Sequence, residues 1–140
     1  MDELKDLIYK EECYKIVGLA MEVHRILGKG FSEAVYKDAL ELEFNRVYIP
    51  SEREKLYDIL YKGVILKHKY KADFVVFNKI ILEVKSSKAI ADEHVKQTLN
   101  YVAAANIKLG LILNFGEDSL KSKRIVLTKK SFGENSRKLA

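Results

Sequence analysis

The spacing of apolar residues predicts two helices at the start of the chain. Over residues 13–27, apolar side chains recur at intervals of three and four, which indicates an amphipathic helix that ends at the glycines of 28–30. A second helix is predicted over about residues 32–46, with Ser32 as its N-cap. The pattern becomes strand-like after Pro50, the only proline.

Several strands and a third helix are predicted in the rest of the chain. The segments EREKLYDILY, VILKHKY, ADFVVF and IILEVKSS, with turns at 62–63 and 78–79, predict three or four antiparallel strands in a meander. Helical spacing returns over residues 92–105, and LGLILNF and KRIVLT predict two more strands. This order predicts an α/β fold of the mixed α+β kind, in which helices flank a central mixed sheet that contains an antiparallel meander.

The length and composition favour one domain. The 140 residues, 48% of them apolar, suffice for one core and are too few for two ordinary ones. We predict a single domain over residues 1–128 and a polar C-terminal tail over 129–140. The lone Cys13 excludes an intramolecular disulfide and favours a cytoplasmic location. No apolar stretch approaches the roughly 20 residues of a membrane span, so no membrane partner is expected.

The charge balance points towards a polyanionic partner. The 25 Lys and Arg residues outnumber the 20 Asp and Glu residues, which favours nucleic acid without establishing it. The run KHKYK places Lys67, Lys69 and Lys71 in alternation with other side chains, next to the strand that contains Asp73. This run is either a rim that contacts a nucleic-acid backbone or a solvated strand face.

Three charged residues lie in strands that are otherwise apolar. In a strand, residues two apart share a face, so Glu83 and Lys85 stand side by side. Asp73 lies in the preceding predicted strand. Carboxylates around a hard divalent cation, with a basic group nearby, are what metal-dependent phosphodiester hydrolysis requires. Each residue alone is usually structural, but unpaired charges in central strands are costly, so the combination favours a site.

The connection between these two strands must have a particular length for the site to exist. A two-residue loop at 78–79 would set Asp73 opposite Val84 and leave it on the other face from Glu83. We therefore predict an odd number of loop residues, or a bulge, which returns both carboxylates to one face.

These residues also carry a family resemblance. Asp73 followed by Glu83-x-Lys85 resembles the D…ExK core of the PD-(D/E)XK nuclease superfamily, with Ala72 at the position of the proline. With the further motifs described next, the resemblance extends over residues 16–127. It implies a restriction-endonuclease-like fold.

Two further motifs lie on the predicted helices. Gly30-x-x-Glu33-x-x-Tyr36 resembles the signature of the GxxExxY protein family. Gln97-x-x-x-Tyr101 is similar to the QxxxY helix motif of λ-exonuclease-like and RecB-like nucleases. An acidic residue in a first helical turn and tyrosines in a core are also ordinary structural features, so these alternatives remain open.

The resemblance implies a role for each of these residues. Lys85 would orient or deprotonate the attacking water, or offset charge on the scissile phosphate. Gln97 would be a further catalytic residue. The implied ligands of Mg²⁺ or Mn²⁺ are Glu33, Asp73, Glu83 and the carbonyl of Val84. The implied substrate-binding residues, with the basic run included, are Tyr36, Tyr101, Lys67, Lys69 and Lys71.

The function predicted is that of a metal-dependent nuclease that hydrolyses phosphodiester bonds of nucleic acid, DNA in preference to RNA. One alternative is a catalytically silent nucleic-acid-binding or scaffolding protein of the same fold. Another is a structural homodimer whose basic face is incidental. Salt dependence separates them, because phosphate binding weakens steeply as salt rises.

Overall fold

The helices lie where the sequence predicts them. The structure, a computed structural model, describes residues 8–128. Within that range the helices are α1 (Lys10–Leu27), α2 (Glu33–Arg46) and α3 (Asp92–Ala105). The strands are β1 (Ser51–Tyr57), β2 (Leu60–Tyr61), β3 (Val64–Ile65), β4 (Tyr70–Val76), β5 (Ile80–Lys85), β6 (Leu109–Asn114) and β7 (Lys121–Val126). The tail predicted over 129–140 lies outside the described residues, so the domain boundary stays a prediction.

Five strands form one mixed sheet in the order β1-β4-β5-β6-β7. The β5–β6 pair is parallel and the other pairs are antiparallel. A parallel pair needs a long crossover connection, and α3 supplies it. Strands β2 and β3 pair only with each other and form a ribbon inserted between β1 and β4. The predicted mixed sheet with an antiparallel meander and flanking helices is confirmed.

Helices cover the two faces of the sheet. Leu82 and Val84 of β5 pack in a core cluster with residues of α1 and α2, such as Ile16 and Leu40. Ile81, which directly precedes Leu82, packs in a second cluster with Val102 of α3. Alternate residues of a strand point to opposite faces, so β5 is buried on both sides. This burial makes any charge on β5 expensive.

Two strands predicted as continuous are interrupted. EREKLYDILY is broken at residues 58–59, and VILKHKY is irregular over 66–69. The breaks separate the β2–β3 ribbon from the main sheet, so the lysines at 67 and 69 lie in a connection rather than in a strand. Within residues 8–128, no helix has the length and apolar character needed to cross a membrane.

Close packing of α3 on the sheet depends on Gly110 in β6. A Cβ at this position would lie 2.8 Å from Thr98 Cγ2 and 2.9 Å from Val102 Cγ1. We expect Gly110→Ala to lower the free energy of unfolding by about 1 to 3 kcal/mol in urea titrations, because α3 must shift. Gly18→Ala is the matched control. Its Cβ would meet nothing within 4 Å, and helix propensity predicts a gain of about 0.5 to 1 kcal/mol. Equal effects of the two substitutions would contradict the packing argument.

Candidate active site

The β4–β5 connection has the odd length that the site requires. Val76 pairs with Ile80, which leaves residues 77–79 as a three-residue loop. The first two loop residues have φ angles of 56° and 59°, and the N–H of the third donates to Val76 O at 3.2 Å. The predicted odd loop is confirmed. Continued by one pair beyond Phe74 and Leu82, this register sets Asp73 opposite Glu83.

The carboxylates of Asp73 and Glu83 accept hydrogen bonds from backbone N–H groups of β4 and β5. The Asp73 N–H donates to Glu83 Oε2 at 3.2 Å, and the Val84 N–H donates to Asp73 Oδ2 at 2.8 Å. The Tyr70 hydroxyl donates to Glu83 Oε2 at 2.8 Å. Each carboxylate is therefore oriented by a backbone N–H of the facing strand, and their positions are tied to the sheet rather than to a loop.

Burial and repulsion make Glu83 an unusual carboxyl group. Glu83 is only 5% exposed to solvent. Burial, and then the nearby charge of Asp73, raise the pKa of Glu83 to about 7, although the Tyr70 hydroxyl, the Asp73 N–H and Lys85 act in the opposite direction. Burial, and then the charge of Glu83, also raise the pKa of Tyr70 well above its usual range. Perturbed groups of this kind cluster at functional sites.

Lys37 contributes to the site, although the sequence analysis did not select it. From α2 its Nζ lies 3.4 Å from Asp73 Oδ1 and 3.2 Å from Glu54 Oε1. Burial alone would lower the pKa of Lys37, but the two carboxylates raise it overall. Glu54 has a φ of 57° inside β1, a conformation that non-glycine residues seldom adopt outside special sites. Lys37 lies four residues after Glu33, on the same helix face, which is the one signal that could have identified it.

Removal of Lys37 should destabilise the protein. We expect Lys37→Met to lower the free energy of unfolding by about 1 to 2 kcal/mol at pH 7, because the partly buried Asp73 carboxylate loses its ammonium partner. The matched control is Lys29→Met, because the ion pair of Lys29 with Asp118 is exposed and solvent screening leaves it little effect on stability. Urea titration of both variants makes the comparison, and a smaller loss in Lys37→Met than in the control would contradict this account.

Glu33 begins α2, the helix that also carries Lys37. Its side chain is exposed. Two residues earlier in the chain, the carbonyl of Phe31 accepts a hydrogen bond from Ser86 Oγ at 3.0 Å. Ser86 directly follows Lys85, so the start of α2 is held beside the end of β5. Among residues 8–128, however, no three acidic, histidine or cysteine side chains are grouped to hold one ion. The structure brings Asp73 and Glu83 together and leaves the ligand role of Glu33 a prediction.

The QxxxY motif reaches Glu83 through Tyr70. The Tyr101 ring stacks on Tyr70 with 3.8 Å between centroids and 12° between planes. Gln97 interacts with the Tyr101 hydroxyl, and burial raises the pKa of that hydroxyl. Lys85, half-buried at the end of β5, lowers the pKa of Glu83 by its charge. The chain of contacts from Gln97 to Glu83 links α3 to the carboxylate pair.

Tyr36, predicted to bind substrate, is instead part of the core. It is fully buried, and its ring stacks on Phe115 at 4.5 Å. Its hydroxyl donates to Gly28 O at 2.6 Å and accepts from the Phe31 N–H at 3.2 Å. This geometry corrects the prediction, since no part of the side chain faces a surface that a substrate could contact. Tyr36 holds the loop from which α2, with Glu33, begins.

The lysines of the basic run are all exposed. Lys67, Lys69 and Lys71 have solvent-accessible side chains, and Lys69 forms an ion pair with Asp58. Their exposure is compatible with both interpretations from the sequence, a rim that contacts a nucleic-acid backbone and a solvated surface.

Asn114 is a second residue that the sequence analysis missed. It ends β6 and is fully buried. Its amide accepts from the Ser87 N–H at 3.0 Å and donates to Ser87 O at 2.9 Å. These bonds fix the chain two residues after Lys85. The available signal was an amide at the end of an apolar strand, LILN, where a buried polar group needs partners.

The donor chemistry of the pair fits a hard divalent cation. Two adjacent carboxylates, Asp73 and Glu83, repel one another in a site that excludes water from Glu83, and a cation would offset both costs. The Val84 carbonyl belongs to the same strand as Glu83, and oxygen ligands of these kinds suit Mg²⁺ or Mn²⁺.

Three solved structures resemble this fold. An alkaline exonuclease (LHK-Exo) from Laribacter hongkongensis is 14% identical, with a TM-score of 0.53 over 86% of this chain and 82% of that chain. The same exonuclease in complex with dAMP is 13% identical, with a TM-score of 0.51 and the same coverage. SSO0001 is 19% identical, with a TM-score of 0.50 over 95% of this chain and 68% of that chain. At such identities the likeness concerns the fold alone.

The sequence itself matches a family model. No curated protein matches it significantly. The model of the PD-(D/E)XK nuclease superfamily matches residues 10–125, a span that contains both strands of the carboxylate pair and all three helices. The chain belongs to the PD-(D/E)XK nuclease superfamily.

Proposed function

We propose that this protein is a metal-dependent nuclease that hydrolyses phosphodiester bonds of nucleic acid at the Asp73–Glu83 pair. The observation that carries the proposal is this pair, oriented by backbone N–H groups, with the pKa of Glu83 raised to about 7. Membership of the superfamily supports the nuclease activity. A catalytically silent protein would gain stability by losing such a buried carboxylate, so its presence favours an active site.

The proposed ligands of Mg²⁺ or Mn²⁺ are Asp73, Glu83, the Val84 carbonyl and, from the start of α2, Glu33. A bound ion of this kind supplies Lewis-acid polarisation of the phosphate and lowers the pKa of a bound water. The Tyr70 hydroxyl keeps Glu83 Oε2 in a fixed orientation, which leaves the carboxylate positioned before substrate arrives.

Other side chains have proposed roles towards the substrate. Lys85, on the same face of β5 as Glu83, orients the attacking water or offsets charge on the scissile phosphate. Gln97 and Tyr101, one helical turn apart, contact the same phosphate or support Tyr70. The exposed lysines of the rim contact the nucleic-acid backbone, and these are Lys67, Lys69 and Lys71.

Finer parts of the proposal have separate support. The dAMP complex of the Laribacter exonuclease concerns that protein, and it makes DNA the first substrate to test here. Assignment to the GxxExxY family is supported by Gly30, Glu33 and Tyr36. A cytoplasmic location is supported by the single, buried Cys13.

The direct test is cleavage of end-labelled single-stranded and duplex DNA and RNA in Mg²⁺, Mn²⁺ or EDTA. We expect cutting that requires the metal and falls by about a hundredfold or more in Lys85→Ala, because charge on the phosphate is no longer offset. Lys88→Ala is the control, since Lys88 is an exposed lysine in the loop just after β5. Equal, metal-independent binding by all three proteins without cutting would contradict the proposal and favour a nucleic-acid-binding protein.

A further inference from the structure

The β2–β3 ribbon has an unusual distribution of side chains. Leu60 pairs with Ile65 and Tyr61 pairs with Val64, around a two-residue turn at 62–63 whose φ angles are 50° and 77°. Successive pairs in a ribbon point to opposite faces. One face therefore carries the leucine and isoleucine, and the other carries the tyrosine and valine.

Both faces of this ribbon are exposed. Leu60, Tyr61, Val64 and Ile65 are 52%, 49%, 62% and 55% exposed, and no other part of residues 8–128 buries them. A two-stranded ribbon alone is only marginally stable in water. Contiguous exposed apolar surface usually marks a binding site, and here the surface faces two ways.

Lysine is the only type of residue with a formal charge from the base of the ribbon to the start of β4, and Asp58, just before this segment, pairs with Lys69. Residues 59–72 contain four lysines and neither Asp nor Glu. Lys62 lies at the tip, 5.5 Å from the centroid of the Tyr61 ring. The other three are the exposed rim lysines described above. Apolar surface surrounded by positive charge complements a ligand that combines flat apolar groups with phosphates, which is the composition of nucleic acid.

The base of the ribbon is attached to the residues around the carboxylate pair. The Leu66 N–H donates to Ile59 O at 2.9 Å, and Ile59 packs in the cluster that contains Tyr70 and Tyr101. The Tyr57 ring, at the end of β1, stacks on Tyr70 at 5.9 Å. The ribbon is therefore fixed relative to Glu83, the hydrogen-bond partner of Tyr70.

We propose that the β2–β3 ribbon inserts between the two strands of a nucleic-acid duplex at an open end, where its apolar side chains stack on unpaired bases. Insertion between strands would cover both exposed faces of the ribbon, and the lysines at its tip and base complement the phosphates on either side. In other protein–nucleic acid complexes, apolar side chains inserted between base steps partly unstack them. The inference extends the proposed function by naming a preferred substrate form.

The test measures binding in EDTA, so it does not depend on cleavage. The probes are a blunt duplex, a fork with two unpaired arms on the same duplex, and that fork with abasic arms. We expect wild type to bind the fork about tenfold more tightly than the blunt duplex, which corresponds to one stacked base. The abasic fork should bind like the blunt duplex, because backbone contacts alone remain.

Two double variants make the test specific. Tyr61→Ser with Val64→Ser removes one of the two apolar faces, so it should lower the preference for the fork several-fold and change blunt-duplex affinity less than about twofold, since the lysines remain. Tyr48→Ser with Val47→Ser removes the same residue types from an exposed site outside the ribbon, 91% and 50% exposed, and should retain the preference. Tyr61→Phe with Val64→Leu should retain it as well.

Each outcome has a distinct meaning. An unchanged preference in the serine ribbon variant, or an abasic fork bound as tightly as the intact one, would overturn the inference. Concentration-dependent dimerisation in sedimentation experiments that only the ribbon variant abolishes would overturn it in favour of a second copy of the chain. Fork binding without any metal-dependent cutting would retain the inference and reject the nuclease proposal, and cutting without fork preference would do the reverse.

Discussion

Glu83→Gln should abolish metal-dependent cleavage, with a loss of about a thousandfold or more, and should not weaken the fold. Glutamine has nearly the same shape and keeps an oxygen that can accept from Tyr70 and the Asp73 N–H. It removes the negative charge that a cation needs. It also removes a charge that burial makes costly, so the free energy of unfolding at pH 8 should rise by about 1 to 3 kcal/mol.

Opposite changes in activity and stability distinguish a functional carboxylate from a structural one. Cleavage assays and urea titrations are made on the same preparations. Glu22→Gln is the control, because Glu22 pairs with Arg25 on the exposed surface of α1, and it should change neither quantity appreciably. Asp73→Asn should also lose cleavage. A Glu83→Gln variant that still cuts at the wild-type rate would remove Glu83 from the proposed site.

The stability of the metal-free protein should fall as pH rises from about 4.5 to about 7. The pKa of Glu83 is about 7 in the folded protein, against 4.5 for the unperturbed side chain. Between these values the folded state holds a proton that the unfolded state has released, so deprotonation favours unfolding. Below pH 4.5 the Glu83 carboxyl does not destabilise the folded state in this way. Above pH 7 the loss of folding free energy reaches its full size, about 3 kcal/mol.

A divalent cation should restore most of the stability that deprotonation of Glu83 removes at high pH. Binding to the folded state alone stabilises it by mass action, so millimolar Mg²⁺ or Mn²⁺ should raise the melting temperature at pH 8 more than at pH 5. Thermal unfolding at both pH values, with the ion or EDTA, makes the measurement. In Glu83→Gln both the pH dependence over this range and the effect of the ion should be reduced. An ion effect that is identical in wild type and variant would place the binding elsewhere.

The hairpin that contains the carboxylates shows how far local reasoning extends. Strand alternation puts Glu83 and Lys85 on one face, and the count of residues back to Asp73 requires an odd loop. Both are properties of backbone geometry and residue spacing, so the sequence was sufficient to predict them. The raised pKa of Glu83 was not predictable in this way, because its largest cause is burial by residues from several elements.

Other parts of the site depend on contacts between distant segments. Lys37 and Asp73 are 36 residues apart, and their ion pair exists only because α2 packs against the sheet. Glu54 takes part through an unusual backbone conformation that no local motif indicates. Tyr36 illustrates the opposite case, since a residue type that suits substrate binding was assigned by the fold to the core.

The sequence by itself determined the helices, most strands, the odd loop and the residues that resemble a nuclease core. These follow from hydrophobic periodicity and spacing, which are local properties of the chain. Only the tertiary structure decided which charges are buried, that Lys37 neutralises Asp73, and that the ribbon of residues 60–65 leaves the sheet with both faces exposed. The physical reason is that burial and electrostatic coupling are set by neighbours in space, which spacing along the chain does not specify.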